Sequence, residues 1–299
     1  MKAMKLKSLL LALPLALPMG TWADDHHAAS PSFKAVEVAP SITMLQGRGG
    51  NIGVLSGEQG LVLIDDDYGV MSEALTQKLK TFGGAEKITY IINTHWHGDH
   101  TEGNLTLGKH APIVAHDNVR QRLLSSQEVK LFGMVTEPYP EIALPSVTYL
   151  KTMNLYINNE QLQLIHLPDG HTDGDSVVHF KRANVMHLGD HFFNGMFPFV
   201  DVQNGGNVLK VAKNLESILP LINDKTVIIP GHGPLATQAE LLEFIDMLKG
   251  TSAEVEKMKK DGLSLEEMQA AGLSKRWDKW SKGFINPKVW IGIVYASSL

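Results

Sequence analysis

The chain has 299 residues, of which 43% are hydrophobic and 20% charged, a balance that excludes a largely disordered protein. Its formal net charge of −5 excludes a general nucleic-acid binder, which needs a basic footprint. Cysteine is absent, so disulfides, cysteine-held zinc, cysteine-ligated iron–sulfur clusters and thiol catalysis are all excluded. Any metal has to be held by His, Asp or Glu, and 13 histidines make that feasible.

Lys2, Lys5 and Lys7 precede an apolar run from Leu9 to Met19, followed by Thr21-Trp22-Ala23 and Asp24-Asp25. A basic start, a short apolar stretch and small residues before a cleavage point read as a secretory signal peptide over residues 1–23, cut after Ala23. The run is too short to span a bilayer, and Pro14 and Pro18 interrupt it. Residues 24–32 read as a loose terminus in which His26 and His27 are solvated, and residues 33–299 as one domain with a C-terminal helical extension. No later window is long and apolar enough for a membrane span. The expectation is a soluble exported protein, periplasmic or secreted, for which zero cysteines suits an oxidising compartment.

Val36 to Asp65 reads as several strands punctuated by Gly47, Gly49, Gly50 and Gly57, the last being the apolar run Leu61 to Ile64 before Asp65-Asp66-Asp67. Ser72 to Phe82 has helical spacing and closes at Gly83-Gly84. Ile88 to Asn93 is a second buried strand leading into Thr94-His95-Trp96-His97-Gly98-Asp99-His100. Ala111 to Ala115 reads as a strand, Asn118 to Leu124 as a helix, and the proline-bearing stretch 133–146 as a loop or lid. The second half repeats the rhythm. Strands are expected at Val147–Tyr149, Leu155–Ile157, Gln161–Leu167, Val177–Phe180, Val185–Leu188 and Val227–Ile229, and helices at Val208–Leu219, Glu240–Lys249, Ala253–Lys260 and Leu265–Ala271. Strands followed by helices, twice over, give an α+β protein of two sheet-plus-helix halves packed sheet to sheet.

His95, His97, Asp99 and His100 crowd into six residues after a buried strand. Alternation along an extended segment lets His95, His97 and Asp99 converge and turns Trp96 away into packing. Buried imidazoles and a carboxylate need a cation to satisfy them, and zinc takes both donor types. His171 in Asp169-Gly170-His171-Thr172, Asp190 in Leu188-Gly189-Asp190 and His232 in Pro230-Gly231-His232-Gly233 lie at turns or strand ends, where glycine lets the chain bend sharply.

These elements, in this order, resemble the metallo-β-lactamase superfamily, with its His-x-His-x-Asp-His run and distant His, Asp and His; the resemblance extends from about Ser41 to Leu248. It implies a four-layer αββα sandwich with two zinc ions at one edge of the sheets. By position, His95, His97 and His171 would hold one metal, Asp99, His100 and His232 the other, and Asp190 would bridge both, as in glyoxalase II and related hydrolases. Water activated between two such ions attacks a carbonyl or phosphorus centre, and Asp99 would also orient it. Zero cysteines excludes the lactamases with a Cys ligand. The lactamases with an all-His/Asp site generally lack the carboxylate that Asp190 supplies. Glyoxalase II carries a basic C-terminal helical domain, whereas Lys257, Lys259, Lys260, Lys275 and Arg276 here read as a solvated face. The expectation is a zinc hydrolase acting on a small molecule: a cyclic amide such as a β-lactam, a lactone, or a (thio)ester. The alternatives are a mononuclear iron sulfur oxygenase, a phosphodiesterase, disfavoured by the lack of a phosphate cradle, and a non-catalytic periplasmic metal-binding protein with residues 133–146 packed over the metals.

Three other candidates stand behind the ligands. Asp65 could partner a ligand imidazole, His116 could cap a helix or support the site, and His191 could line the pocket. Phe192, Phe193, Met196, Phe197 and Phe199 form either core or an apolar wall beside the metals. Tyr139, Tyr149 and Tyr156 are candidates to donate to an oxyanion.

Overall fold

The computed structural model describes residues 31–298; the expected signal peptide and the stretch 24–30 lie outside them. The chain first lays down strands β1 (Lys34–Ala39), β2 (Ile42–Gln46), β3 (Ile52–Gly57), β4 (Gly60–Ile64), β5 (Ile88–Ile92) and β6 (Ile113–His116). A hairpin of β7 (Gln127–Val129) and β8 (Met134–Thr136) stands apart, and β9 (Val147–Tyr149) returns to complete a seven-stranded sheet beside β6. The second sheet takes β10 (Thr152–Ile157), β11 (Glu160–His166), β12 (Ser176–Phe180), β13 (Val185–His187) and β14 (Val227–Ile229) in order. Hairpin connections make β1 to β4 and β10 to β13 antiparallel, whereas β4, β5, β6 and β9 run parallel, as do β13 and β14.

The layering follows from strands that are apolar on both faces. In β4, Leu61 and Leu63 face outward to helix α1 (Ser72–Leu79), packing on its Leu75 and Leu79. Val62 and Ile64 face inward to Leu162, Leu164 and Val178 of the second sheet. In the second sheet Val178 and Ile229 point into this central core, while Val177 and Ile228 face the helices on the far side. The result is helix, sheet, sheet, helix, the αββα order. Each such side chain removed from water contributes about 1.5–3 kcal/mol.

Short helices α2 (Gly98–Thr101) and α3 (Asn104–Leu107) follow β5, α4 (Asp117–Leu123) follows β6, and α5 (Val208–Ile218) precedes β14. The outer layer is completed by α6 (Gln238–Lys260), α7 (Leu265–Ala271) and α8 (Pro287–Ser297). Three expectations change. The two helices expected at 240–249 and 253–260 are one continuous α6. Thr251 and Ser252 return their hydroxyls to the carbonyls of Met247 and Leu248. Gly250 sits where a Cβ would meet the Trp277 ring at 2.3 Å, so the glycine serves packing there. Helix α8 is new: Asn286 caps it by accepting from the Val289 N–H and Pro287 opens it, while its apolar sequence hides any amphipathic stripe. Within 133–146, expected as loop, Met134–Thr136 is a strand, paired antiparallel with Gln127–Val129.

Candidate metal centre

The candidate donors are brought to one end of the sandwich by the ends of strands. His95, His97, Asp99 and His100 follow β5, His171 follows β11, Asp190 follows β13 and His232 follows β14. The segment between β5 and α2 is bent, and α2 begins at Gly98. That start corrects the strand-alternation reading: His95 and His97 converge with His171, but Asp99 turns with His100 into a second group containing Asp190 and His232. Two glycines permit the crowding. A Cβ on Gly50 would lie 2.1 Å from His100 Cε1, and one on Gly231 would lie 2.0 Å from Asp190 Oδ1.

In the first group the tautomers follow from the partners of the outward nitrogens. His97 Nε2 donates to Asp201 Oδ2 at 3.0 Å, and His171 Nδ1 to the Phe199 carbonyl at 2.9 Å. Thr94 gives its hydroxyl proton to Asp65 Oδ2, so the His95 Nδ1 proton goes to Thr94 Oγ1 at 3.1 Å. The inward atoms His95 Nε2, His97 Nδ1 and His171 Nε2 then carry lone pairs, with His97 Nδ1 only 3.1 Å from His95 Nε2 and 2.9 Å from His171 Nε2. Three buried lone pairs aimed at one point repel unless a cation lies among them. Burial, reinforced by neighbouring imidazoles, holds His95 well below the usual histidine range, and burial pushes His171 down to about 4. Both are neutral ligands-in-waiting.

The second group has the opposite electrostatics. His100 donates Nδ1–H to Asp65 at 2.8 Å. Its Nε2 lies 3.1 Å from Asp190 Oδ1 and 3.4 Å from Asp99 Oδ2, yet it and Asp190 Oδ1 are misaligned and make no hydrogen bond. His232 Nε2 lies 3.2 Å from Asp99 Oδ2 and 3.4 Å from Asp190 Oδ2. Burial opposes charge on these rings, but Asp190 and Asp99 override it, raising His100 well above its ordinary value and His232 to about 9. Burial likewise opposes ionisation of Asp99 and Asp190, and the facing imidazoles hold both well below the carboxylate range. Two carboxylates thus keep two protons that a cation would displace. Asp190 joins the groups, since its Oδ2 is also 3.5 Å from His171 Nε2 and 3.9 Å from His95 Nε2.

Asp65 stands where the sequence places it, behind His100, with a left-handed backbone at φ +64° and its Oδ1 accepting from the Thr94 N–H. His116 does not support the site: its Nδ1 accepts from the Asn118 N–H to cap α4, its Nε2 donates to the Leu150 carbonyl, and its ring stacks on His166 at 3.6 Å. His191 does not line the cleft either. It is buried under the His171 loop against Asn214, and burial pushes it down to about 3. The phenylalanine run divides. Phe193 and Phe199 line the cleft, whereas Phe192 packs on Phe244 and Phe197 on Trp290. Trp96 is buried as expected but does not turn away from the site: its ring packs against His97 and lines the cleft. None of Tyr139, Tyr149 and Tyr156 reaches the cleft; Tyr139 bonds to Thr101, and Tyr156 is exposed. Tyr68, Arg48 and Asp201 are functional candidates the sequence reading missed. Tyr68 and Arg48 line a cleft of about 360 Å³ that opens on Asp99, Asp190 and His232. The hairpin residues Met134 and Thr136 line this cleft and leave it open. Lys257, Lys260 and Arg276 pair with Asp261, Glu256 and Asp246, away from it.

An αββα sandwich that gathers these donors at its strand ends is a metal-dependent hydrolase. The chain belongs to the metallo-beta-lactamase superfamily, whose family model matches residues 45–235. A metallo-beta-lactamase type 2 of Bacillus sp. (strain 170) is 28% identical over 203 residues, covering 66% of this chain and 71% of the relative. A probable metallo-hydrolase of Methanocaldococcus jannaschii is 26% identical, over 58% of this chain and 83% of its own. Among solved structures, a metallo-beta-lactamase from Pontibacter korlensis superposes with a TM-score of 0.60 at 16% identity, covering 73% of this chain and 99% of that one. The sec-alkylsulfatase of a Pseudomonas species gives 0.65 at 18% identity, over 89% of this chain and 50% of that one.

Proposed function

We propose that the protein is an exported dizinc hydrolase that opens the carbonyl of a lactone, ester, thioester or β-lactam. The observation that carries this reading is the Asp190 carboxylate, which reaches His171 and His95 of the first group through Oδ2 and His100 and His232 of the second through Oδ1 and Oδ2. His95, His97 and His171 would hold one ion, Asp99, His100 and His232 a second, and Asp190 would span both. Nitrogen and oxygen donors without sulfur suit zinc. Such a pair of ions supplies Lewis acidity and lowers the pKa of a water shared between them.

The chain's own residues then complete the chemistry. Asp99 has the more exposed of the two carboxylate side chains, 16% against 4% for Asp190, and faces the cleft, where it orients the attacking water. Tyr68 is neutral at ordinary pH, and burial raises it further above the usual tyrosine range, so its hydroxyl is a donor available to the carbonyl oxygen as charge develops there. Asp65, Asp201 and the Phe199 carbonyl fix the imidazole orientations, so little reorganisation accompanies turnover. The signal-like residues 1–23 support export, and the name of the Bacillus relative supports inclusion of β-lactams among the substrates. The open cleft argues against an inert metal store, and seven converging donors argue against a single iron site.

The test is elemental analysis of the purified protein together with hydrolysis of a chromogenic cephalosporin, a homoserine lactone and a thioester. Two zinc ions per chain with turnover of any of the three supports the reading. One iron per chain, oxygen uptake and no hydrolysis overturns it.

A further inference from the structure

Beyond the metal donors, the cleft is walled by aromatic rings in a continuous arc. Phe193 stacks on His232 at 4.7 Å between centroids, Phe284 lies 6.1 Å from Phe193, Phe132 lies 6.0 Å from Phe284, Phe199 lies 4.9 Å from Phe132, and His97 lies 5.7 Å from Phe199. The arc starts on a histidine of one donor group and ends on a histidine of the other. Its inner members Phe193 and Phe199 are buried, but Phe132 and Phe284 are 41% and 55% exposed. Phe132 sits at the turn of the β7–β8 hairpin, whose Leu131, Met134 and Val135 are also exposed. Val129 and Met134 line the cleft beside it.

Polarity divides the lining. Asp99, Asp190, His97 and His232 belong to the donor groups. Arg48 belongs to the same end, because its N–H and that of Gly49 are held by Asp67 while Gly49 abuts Asp99. The hairpin and Phe284 add only Thr136 as a polar side chain to the remaining wall. Exposed apolar surface concentrated at the mouth of a cleft, rather than scattered, marks a place where apolar ligand surface is covered.

We infer that the substrate is an amphiphile: its hydrolysable group meets the donor groups, and an unbranched acyl or alkyl tail of several carbons lies along the arc Phe193–Phe284–Phe132–Phe199. This inference rests on the hydrolase reading for the head group, but the tail site stands on its own geometry. The tail would displace water chiefly from the exposed rings of Phe132 and Phe284, with the buried Phe193 and Phe199 backing the arc. The hairpin, apolar on its exposed turn, would close over the tail's outer side.

Two chain-length series test it on the purified, metal-loaded protein: p-nitrophenyl esters from acetate to octanoate for turnover, and butan-1-ol to octan-1-ol for binding by calorimetry. Each added methylene is expected to raise kcat/KM and alkanol affinity about two- to fourfold. The double variant Phe132→Ala/Phe284→Ala, at two exposed positions whose change spares the core, is expected to lower the octanoate-to-acetate ratio at least tenfold and to flatten the alkanol series. A flat alkanol series in the unaltered protein overturns the tail site, as does a slope the double variant leaves intact. If no ester is hydrolysed but alkanol affinity rises with length and the double variant abolishes the rise, the tail site holds and the hydrolase reading alone fails.

Discussion

Asp201 Oδ2 accepts a hydrogen bond from His97 Nε2 at 3.0 Å, across 104 residues of sequence. The carboxylate is buried and also accepts from Asn204 Nδ2. Burial works against its charge, but the hydrogen bond from His97 and that ring's proximity keep it below the usual carboxylate range. The contact turns the Nδ1 lone pair of His97 toward His95 and His171. Replacing Asp201 by Ala frees the ring to rotate or change tautomer, so zinc affinity should fall about 10–100-fold. Competition with a chromogenic chelator measures it, and an unchanged affinity would remove Asp201 from the support of the site.

Asp190→Ala removes the group that joins the two sets of donors. The variant should bind one zinc ion per chain, lose at least about 100-fold in turnover, and keep the circular dichroism spectrum of the parent. Elemental analysis and a steady-state assay read both effects. If the variant keeps two ions and full activity, Asp190 bridges nothing.

How much of this was legible beforehand differs between ligands and their supports. The seven donors announce themselves, because His-x-His-x-Asp-His is a dense run and each of the other three adjoins a glycine that lets the backbone turn into a crowded place. Asp65 was legible too, as the acid ending a buried strand. Asp201 was not: Phe199-Val200-Asp201 carries no local signal, and the residue reaches His97 only because its own N–H is tied to the His171 carbonyl at 2.9 Å. Tyr68 carries no local signal either, since its place in the cleft depends on Asp67 holding the backbone of both Arg48 and Tyr68. In the helical layer, Gly250-Thr251-Ser252 reads locally as a break, and tertiary packing against Trp277 makes it continuous helix.

Gly50→Ala tests whether that crowding is required. The added methyl would lie 2.1 Å from His100 Cε1, on a residue whose own N–H is held by the Asp99 carbonyl. Neither neighbour can yield without moving donors of the second group. Thermal unfolding in excess chelator should show a loss of about 1–3 kcal/mol, and the second zinc ion should bind more weakly than in the parent. A variant as stable as the parent and fully metallated would mean that the loop 47–50 moves freely.

Tyr68→Phe removes a hydroxyl and little else. If that hydroxyl stabilises the developing oxyanion, kcat should fall by about tenfold or more with KM nearly unchanged. The comparison is to be made on whichever ester or lactone turns over best. A selective rise in KM would instead assign Tyr68 to ground-state binding.

The stacked pair His116 and His166 gives the protein an acid sensitivity separate from its donors. Burial lowers both rings below the ordinary histidine value, and His166 depresses His116 further, while Asp117, Asp169 and Asp173 pull the other way. Because the folded-state values lie below the unfolded one, the unfolded chain takes up protons that the native pair refuses. The contribution to stability is therefore complete above about pH 6.5 and is lost as pH falls through the lowered native values. His116→Asn keeps a side chain able to cap α4 and removes the stacked imidazole. In excess chelator, the unfolding midpoint of this variant should fall less than that of the parent between about pH 7.5 and pH 5. Equal falls in the two proteins would show that the pair titrates as it would in the unfolded chain.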